Sequence, residues 1–210
     1  MLRQEVYVCI DFSRLTAQEF DGQSVLERFL TAALVLGLVA QQQGDLFGLL
    51  TFSDRVYRFL RARSGKSHYA MCRDAIYTLQ PNVVSPDFTD LCSFIRLRLR
   101  RRALLFMLTD LSDPVLAESF VQDSQLISRQ HLVMVNMIKP AAARPLFAAG
   151  DAKAPDDLYQ RLSGHLFWEN LSQLQNTLHN YGIALSQLAN ERLSAEIVTQ
   201  YLNVKQRQIL

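Results

Sequence analysis

The chain has 210 residues, 49% of them hydrophobic and 20% charged, with 22 Lys and Arg against 20 Asp and Glu. That composition excludes a disordered chain, and eight glycines with six prolines exclude a linker or a collagenous repeat. A net charge of +2 does not by itself call for nucleic acid or an anionic membrane as a partner.

The length fits one domain at roughly 150 residues per domain. Cys9, Cys72 and Cys92 form no CxxC pair, which argues against a disulfide framework or a thiolate zinc site. The longest apolar run, Leu30–Ala40, is 11 residues, short of the ~20 needed to cross a bilayer. No membrane segment is therefore expected, and the expected location is the cytoplasm. The abrupt start, Met1–Glu5 running straight into a strand, reads as an excised segment of a longer protein. Such a cut leaves room upstream for a membrane tether.

In chain order, Val6–Ile10 is predicted as a buried strand that ends at Asp11-Phe12-Ser13-Arg14-Leu15. Open α/β sheets place ligand loops at such ends. A loop from Thr16 to Gly22 leads to Ser24, which has capping-box spacing with Glu27. The helix that follows runs to Gln43 and is apolar almost all round, as expected for a helix packed between neighbours. Gly44-Asp45 closes it. Leu46–Phe52 and Val56–Leu60, joined through Ser53-Asp54, read as a hairpin, so one edge strand is antiparallel.

Arg63–Ser67 is a loop, and helices are expected over His68–Leu79 and Thr89–Arg101, separated by a turn-rich loop from Pro81 to Asp87. The strand Ala103–Leu108 ends at Thr109-Asp110. A helix over Pro114–Arg129 and a buried strand over Leu132–Ile138 come next. Pro140–Pro155 is an Ala-rich break with three prolines. It gives way to a helix over Asp156–Tyr181, stopped by Gly182, then a short strand over Ile183–Leu188. Ser194 is expected to cap a last helix through Gln206. Strands alternating with helices predict a doubly wound, mostly parallel α/β sheet with helices on both faces, as one domain over residues 1–210.

Two strand ends carry carboxylates, Asp11 and Asp110, and Thr89 lies between them in sequence. In a doubly wound sheet the carboxyl ends of neighbouring strands meet at one edge, so Asp11, Ser13, Thr89 and Asp110 are expected to converge. Carboxylates with hydroxyls are hard oxygen ligands that suit Mg²⁺ or Mn²⁺ completed by water. The plainer reading is that Asp11 and Asp110 bond local backbone N–H groups.

The order strand–DxSxx, then Thr-Asp-Leu, then strand–Thr-Asp resembles a von Willebrand factor A domain. In that fold DxSxS, a Thr and a distant Asp form the metal-ion-dependent adhesion site. More narrowly, the chain is similar to the bacterial family called "domain of unknown function fifty-eight". The segments that carry the likeness are Gln43–Leu49, Arg101–Leu104 through Asp113, His131–Val135 and Tyr201–Lys205. The resemblance implies a non-enzymatic interaction module. It also implies association with a MoxR-type AAA+ ATPase as adaptor or co-chaperone, the partner being that ATPase or its client. At the adhesion site, Mg²⁺ or Mn²⁺ on Asp11, Ser13, Thr89 and Asp110 would take a partner's carboxylate. The chain departs from the pattern at Leu15, which stands where the second Ser belongs and supplies no oxygen. The alternative from another class is a metal-dependent hydrolase or phosphatase at the same acidic edge. A third is a degenerate scaffold that binds partners without an ion.

Other signals weigh less. Ser64-Gly65-Lys66-Ser67 resembles the end of a phosphate loop, but Leu60 occupies the position of its first Gly. His68, His131, His165 and His179 are dispersed. Arg96, Arg98, Arg100, Arg101 and Arg102 put five cations in seven residues. They are read as a partner-binding patch (Arg96, Arg100, Arg101 and Arg102) for an acidic protein or, more plainly, as a helix end whose cations suit the macrodipole. No aromatic residues interleave, so nucleic acid is not the expected partner.

Overall fold

The computed structural model describes residues 3–20, 22–145 and 155–207. The first strand, β1 (Glu5–Asp11), is rich in β-branched and apolar residues and is buried on both faces: Tyr7 and Cys9 enter one core, Val6, Val8 and Ile10 the other. That is how a central strand of a covered sheet behaves. The expected loop after it holds a 3₁₀ turn over Arg14–Ala17 and a two-stranded ribbon, β2 (Glu19–Phe20) with β3 (Gln23–Ser24). Two-residue strands are too short to leave a periodic signal in sequence.

Helix α1 (Val25–Gln42) starts where expected, with the Ser24 side chain on the Glu27 N–H and Glu27 returning to the Ser24 N–H. It is long and apolar enough to cross a membrane by length and composition, with a mean hydropathy of 1.3. In the fold it buries Phe29, Ala32, Ala33 and Leu36 against the sheet. The antiparallel hairpin pairs β4 (Leu46–Phe52) with β5 (Val56–Arg63). The remaining elements are α2 (Lys66–Ile76), α3 (Phe88–Arg98), β6 (Leu104–Leu108), α4 (Pro114–Ser128), β7 (Leu132–Ile138), α5 (Pro155–Asn180), β8 (Ala184–Leu188), a 3₁₀ turn over Asn190–Arg192 and α6 (Leu193–Gln206).

Strand order in the six-stranded sheet is β5-β4-β1-β6-β7-β8, parallel throughout except β5. Helices α1, α2 and α6 cover one face, and α3, α4 and α5 the other. This is the doubly wound, mostly parallel architecture with one antiparallel edge strand that the element order predicted.

Three local expectations shift. Helix α2 begins at Lys66, behind Gly65 with φ 105°. Helix α3 ends at Arg98, three residues before the expected Arg101, so Arg100 and Arg101 lie outside it. Ser194 lies inside the first turn of α6, whose N-cap is Arg192 without a side-chain cap. There the 3₁₀ turn runs directly into the helix, and no hydroxyl cap is needed to start it. Within the Pro140–Pro155 break, residues 146–154 lie outside the described residues.

Two interactions lock distant segments together. Gly48 has no Cβ because one would stand 2.4 Å from the Tyr7 ring and 2.9 Å from the Ala62 nitrogen. Across that gap the Tyr7 hydroxyl accepts the Ala62 N–H at 3.1 Å. The β4–β5 register shifts between Phe47 and Leu49, so a side chain from β1 satisfies an amide at the irregularity, as a buried donor requires. At the amino edge of the sheet, buried Asp45 accepts from the Tyr201 hydroxyl and from the Lys205 ammonium, the latter at 2.7 Å, and takes the Gln4 N–H on its other oxygen. The two ends of the family likeness, Gln43–Leu49 and Tyr201–Lys205, therefore meet in space.

Candidate functional site

The carboxyl edge of the parallel strands carries the predicted acidic residues. β1 pairs with β6 through Ile10 and Leu108, so the next residues, Asp11 and Thr109, face each other. The Thr109 hydroxyl donates to Asp11 Oδ2 at 2.7 Å, and the Ser13 N–H donates to Oδ1 at 2.8 Å. Asp11, Ser13 and Thr109 are fully buried. Burial raises the Asp11 carboxyl from 3.8 to about 6; the Thr109 and Ser13 hydrogen bonds pull it back, and the charge of Asp110 adds to the rise. Asp110, one residue past Thr109, is half-buried, and its Oδ1 accepts the N–H and the hydroxyl of Ser112. Both carboxylates thus make the local backbone bond of the plainer reading. The Ser13 hydroxyl in turn accepts the Leu15 N–H at 3.4 Å. The loop is pinned from outside by the Asn82 N–H on the Phe12 carbonyl and the Arg14 N–H on the Val84 carbonyl.

The structure brings together Asp11, Ser13 and Asp110 of the predicted set. Thr89 does not join them. It is exposed on α3, and its hydroxyl donates to Asp123 Oδ2 on α4 at 2.8 Å. Asp87, two residues earlier, caps α3 by accepting the Asp90 N–H, and this register directs Thr89 along the α3–α4 flank. Leu15 offers no oxygen. Among the described residues no group of three or more His, Cys, Asp or Glu could hold a metal ion. With Thr89 turned away and Leu15 in place of a serine, the adhesion-site donor set is short of two oxygens. These residues do not fit an adhesion-site cation. The Arg patch is placed elsewhere: Arg96 is on α3, and Arg100, Arg101 and Arg102 follow it into β6 at the opposite, amino edge.

Sequence reasoning missed Thr109 as a partner of Asp11, because the pairing needs the β1–β6 register. It also missed a hollow. Beside Asp110 lies a cavity of about 150 Å³, walled by Phe20, Val25, Phe29, Ile138 and Pro140 among others. It shares Ser112 and Phe167 with a larger groove of about 310 Å³ between α4 and α5, walled by Leu111, Pro114, Ala117, Val121, Leu171 and Leu174. An apolar groove with two carboxylates on its lining, Asp110 and Glu118, can hold an apolar side chain and orient it by polar contacts.

Comparison with known proteins agrees with this architecture. The SpRpn10 VWA domain is 12% identical, with 95% of each chain covered and a TM-score of 0.54. An aerotolerance-related membrane protein from Bacteroides fragilis is 14% identical, covering 95% of this chain and 98% of its own, with a TM-score of 0.58. Proximal thread matrix protein 1 from the mussel byssus, with a zinc-occupied MIDAS motif, is 16% identical over 95% of this chain and 46% of its own, with a TM-score of 0.52. At these identities the likeness shows the von Willebrand factor A fold alone, a fold in which a metal can be bound. No curated protein matches the sequence. The family described as "protein of unknown function DUF58" matches residues 3–157. Nearly all of α5, with β8 and α6, lies beyond that match. With nearly three quarters of its length matched and a von Willebrand factor A-like fold, the chain belongs to the DUF58 family.

Proposed function

We propose that the domain is a non-catalytic protein-interaction module that receives a partner segment in the hollow at the carboxyl edge. The observation that carries this is the pair of adjoining hollows, one beside Asp110 and one between α4 and α5, with Ser112 and Phe167 common to both. A partner's apolar side chains would fill the groove, and Asp110 would take a donor from its backbone or a cation. The partner proposed is the one that the sequence resemblance implies, a MoxR-type AAA+ ATPase or its client, with the domain as adaptor or co-chaperone. Because the donor set falls short of an adhesion site, contact is made directly by side chains; Mg²⁺ or Mn²⁺ is not required.

The test is a pull-down of the purified ATPase, with and without EDTA, by the parent and by Val121→Arg, which blocks the groove. Retention by the parent in both buffers and its loss in the variant are expected. Retention that EDTA abolishes would restore the metal, and equal retention by Val121→Arg would move the interface off the groove.

A further inference from the structure

The amino edge of the sheet carries a second surface. Ten of the chain's 22 lysines and arginines fall in residues 55–66 and 96–102, stretches without a single carboxylate. The other twelve are set against all 20 acidic residues. The modest net charge therefore hides strong segregation. The fold gathers the two basic stretches. β5 is the last strand of the sheet, its far edge unpaired among the described residues. The Arg98 guanidinium lies 5.6 Å over the Phe94 ring, and Phe94 packs edge-on against Phe59 of β5 at 5.3 Å. The end of α3 is thus seated on β5. Arg61, Arg63, Arg98, Arg100, Arg101 and Arg102 are all exposed. Among the described residues none of the six is in an ion pair. The carboxylates near this edge have other partners: Glu5 accepts from the Tyr7 hydroxyl at 3.5 Å, Asp45 from Tyr201 and Lys205, and Asp90, at the far end of β5, from the Val56 N–H.

From this arrangement we infer a binding surface for an acidic, extended polypeptide segment that adds to β5 as a further strand. Its backbone would pair with the free edge, and its carboxylates would meet the arginines. Each half of the recognition is a general mode: strand addition supplies main-chain hydrogen bonds, and guanidinium groups take carboxylates bidentately. Edge arginines also protect a sheet from unwanted pairing. Here, however, the cations continue past the edge onto the end of α3 and into the turn at residues 100–102, where there is no edge to protect. The surface is separate from the groove between α4 and α5, so this inference stands or falls independently of the proposed function.

The experiment uses a fluorescent peptide of about ten residues, a strand's length, alternating Glu and Thr. It is titrated into the whole chain at low salt and again at about 0.5 M, where screening shortens to a few ångströms. Saturable binding that weakens with salt is expected, together with slowed amide exchange over residues 56–63. Arg61→Glu/Arg63→Glu/Arg98→Glu should bind about tenfold more weakly or worse. If that variant misfolds, Arg63→Ala and the exchange data on the parent carry the decision. A peptide N-methylated at alternate amides should not bind. No binding of the unmodified peptide overturns the inference, and so does equal binding of the N-methylated one. Tighter binding of oligo-dT or of phosphatidylserine vesicles through the same arginines would replace it with a nucleic-acid or lipid surface.

Discussion

Asp11 shows how a residue readable as a ligand becomes something else once its neighbours are known. A buried carboxylate is costly to ionise unless donors meet it, and here Ser13 and Thr109 supply two. The folded state still holds its proton more tightly than the unfolded chain, with a value raised from 3.8 to about 6. Its stabilising contribution is therefore complete below pH 3.8 and is lost as pH rises through 6. At most the loss is on the order of 3 kcal/mol, at about 1.4 kcal/mol for each pH unit between the two values. Asp11→Asn removes the titration. In EDTA, chemical denaturation of the variant from pH 4 to 7 should show a flatter stability profile than the parent's, with the variant gaining relative to the parent toward pH 7. Parallel profiles would mean that Asp11 titrates normally. Thr89 teaches the complementary point. Its type and its place in Asp-Phe-Thr-Asp-Leu matched a ligand position, but the cap at Asp87 fixes the helix register and turns its hydroxyl to Asp123.

Elements were legible where a local rule set them. The capping box at Ser24 and Glu27 fixed the start of α1, and two-sided apolarity marked β1 and β6. The failures were also local. The ribbon of β2 and β3 has no periodicity to read, and α6 starts from a 3₁₀ turn instead of from Ser194. What holds α6 in place is long-range. Lys205 pairs with an Asp45 that is only 2% exposed, and Tyr201 shares the same oxygen. Removing one partner from a buried pair leaves an uncompensated charge, which typically costs about 3–5 kcal/mol. Lys205→Met should lower the midpoint of urea denaturation by an amount corresponding to about 3 kcal/mol. Lys205→Met/Asp45→Asn should recover most of it, because the orphaned charge is gone. A single variant as stable as the parent would show the pair to be unimportant.

For the molecule as a whole, the matched family segment and the folded unit differ in extent. The match ends at residue 157, yet β8 pairs with β7 and α6 puts Leu193, Ile197, Tyr201 and Val204 into the core on the α1 face. Leu171 and Leu178 of α5 do the same on the other face. A chain cut after residue 157 would expose both cores and leave Asp45 without its partners. It should show no cooperative thermal transition, whereas the 210-residue chain should unfold in a single step; a cooperative melt of the short chain would make α5, β8 and α6 an appendage. The sequence by itself determined the alternation of strands and helices, the antiparallel hairpin, the covered parallel sheet and the two acidic strand ends, because periodicity, caps and turns act over a few residues. Only the tertiary structure decided that Asp11 faces Thr109, that Thr89 turns away, that Asp45 closes on a lysine 160 residues distant, and that the basic end of α3 docks on β5. Those outcomes depend on strand register and helix docking. Both are fixed by the packing of the entire core, and no short window of sequence contains them.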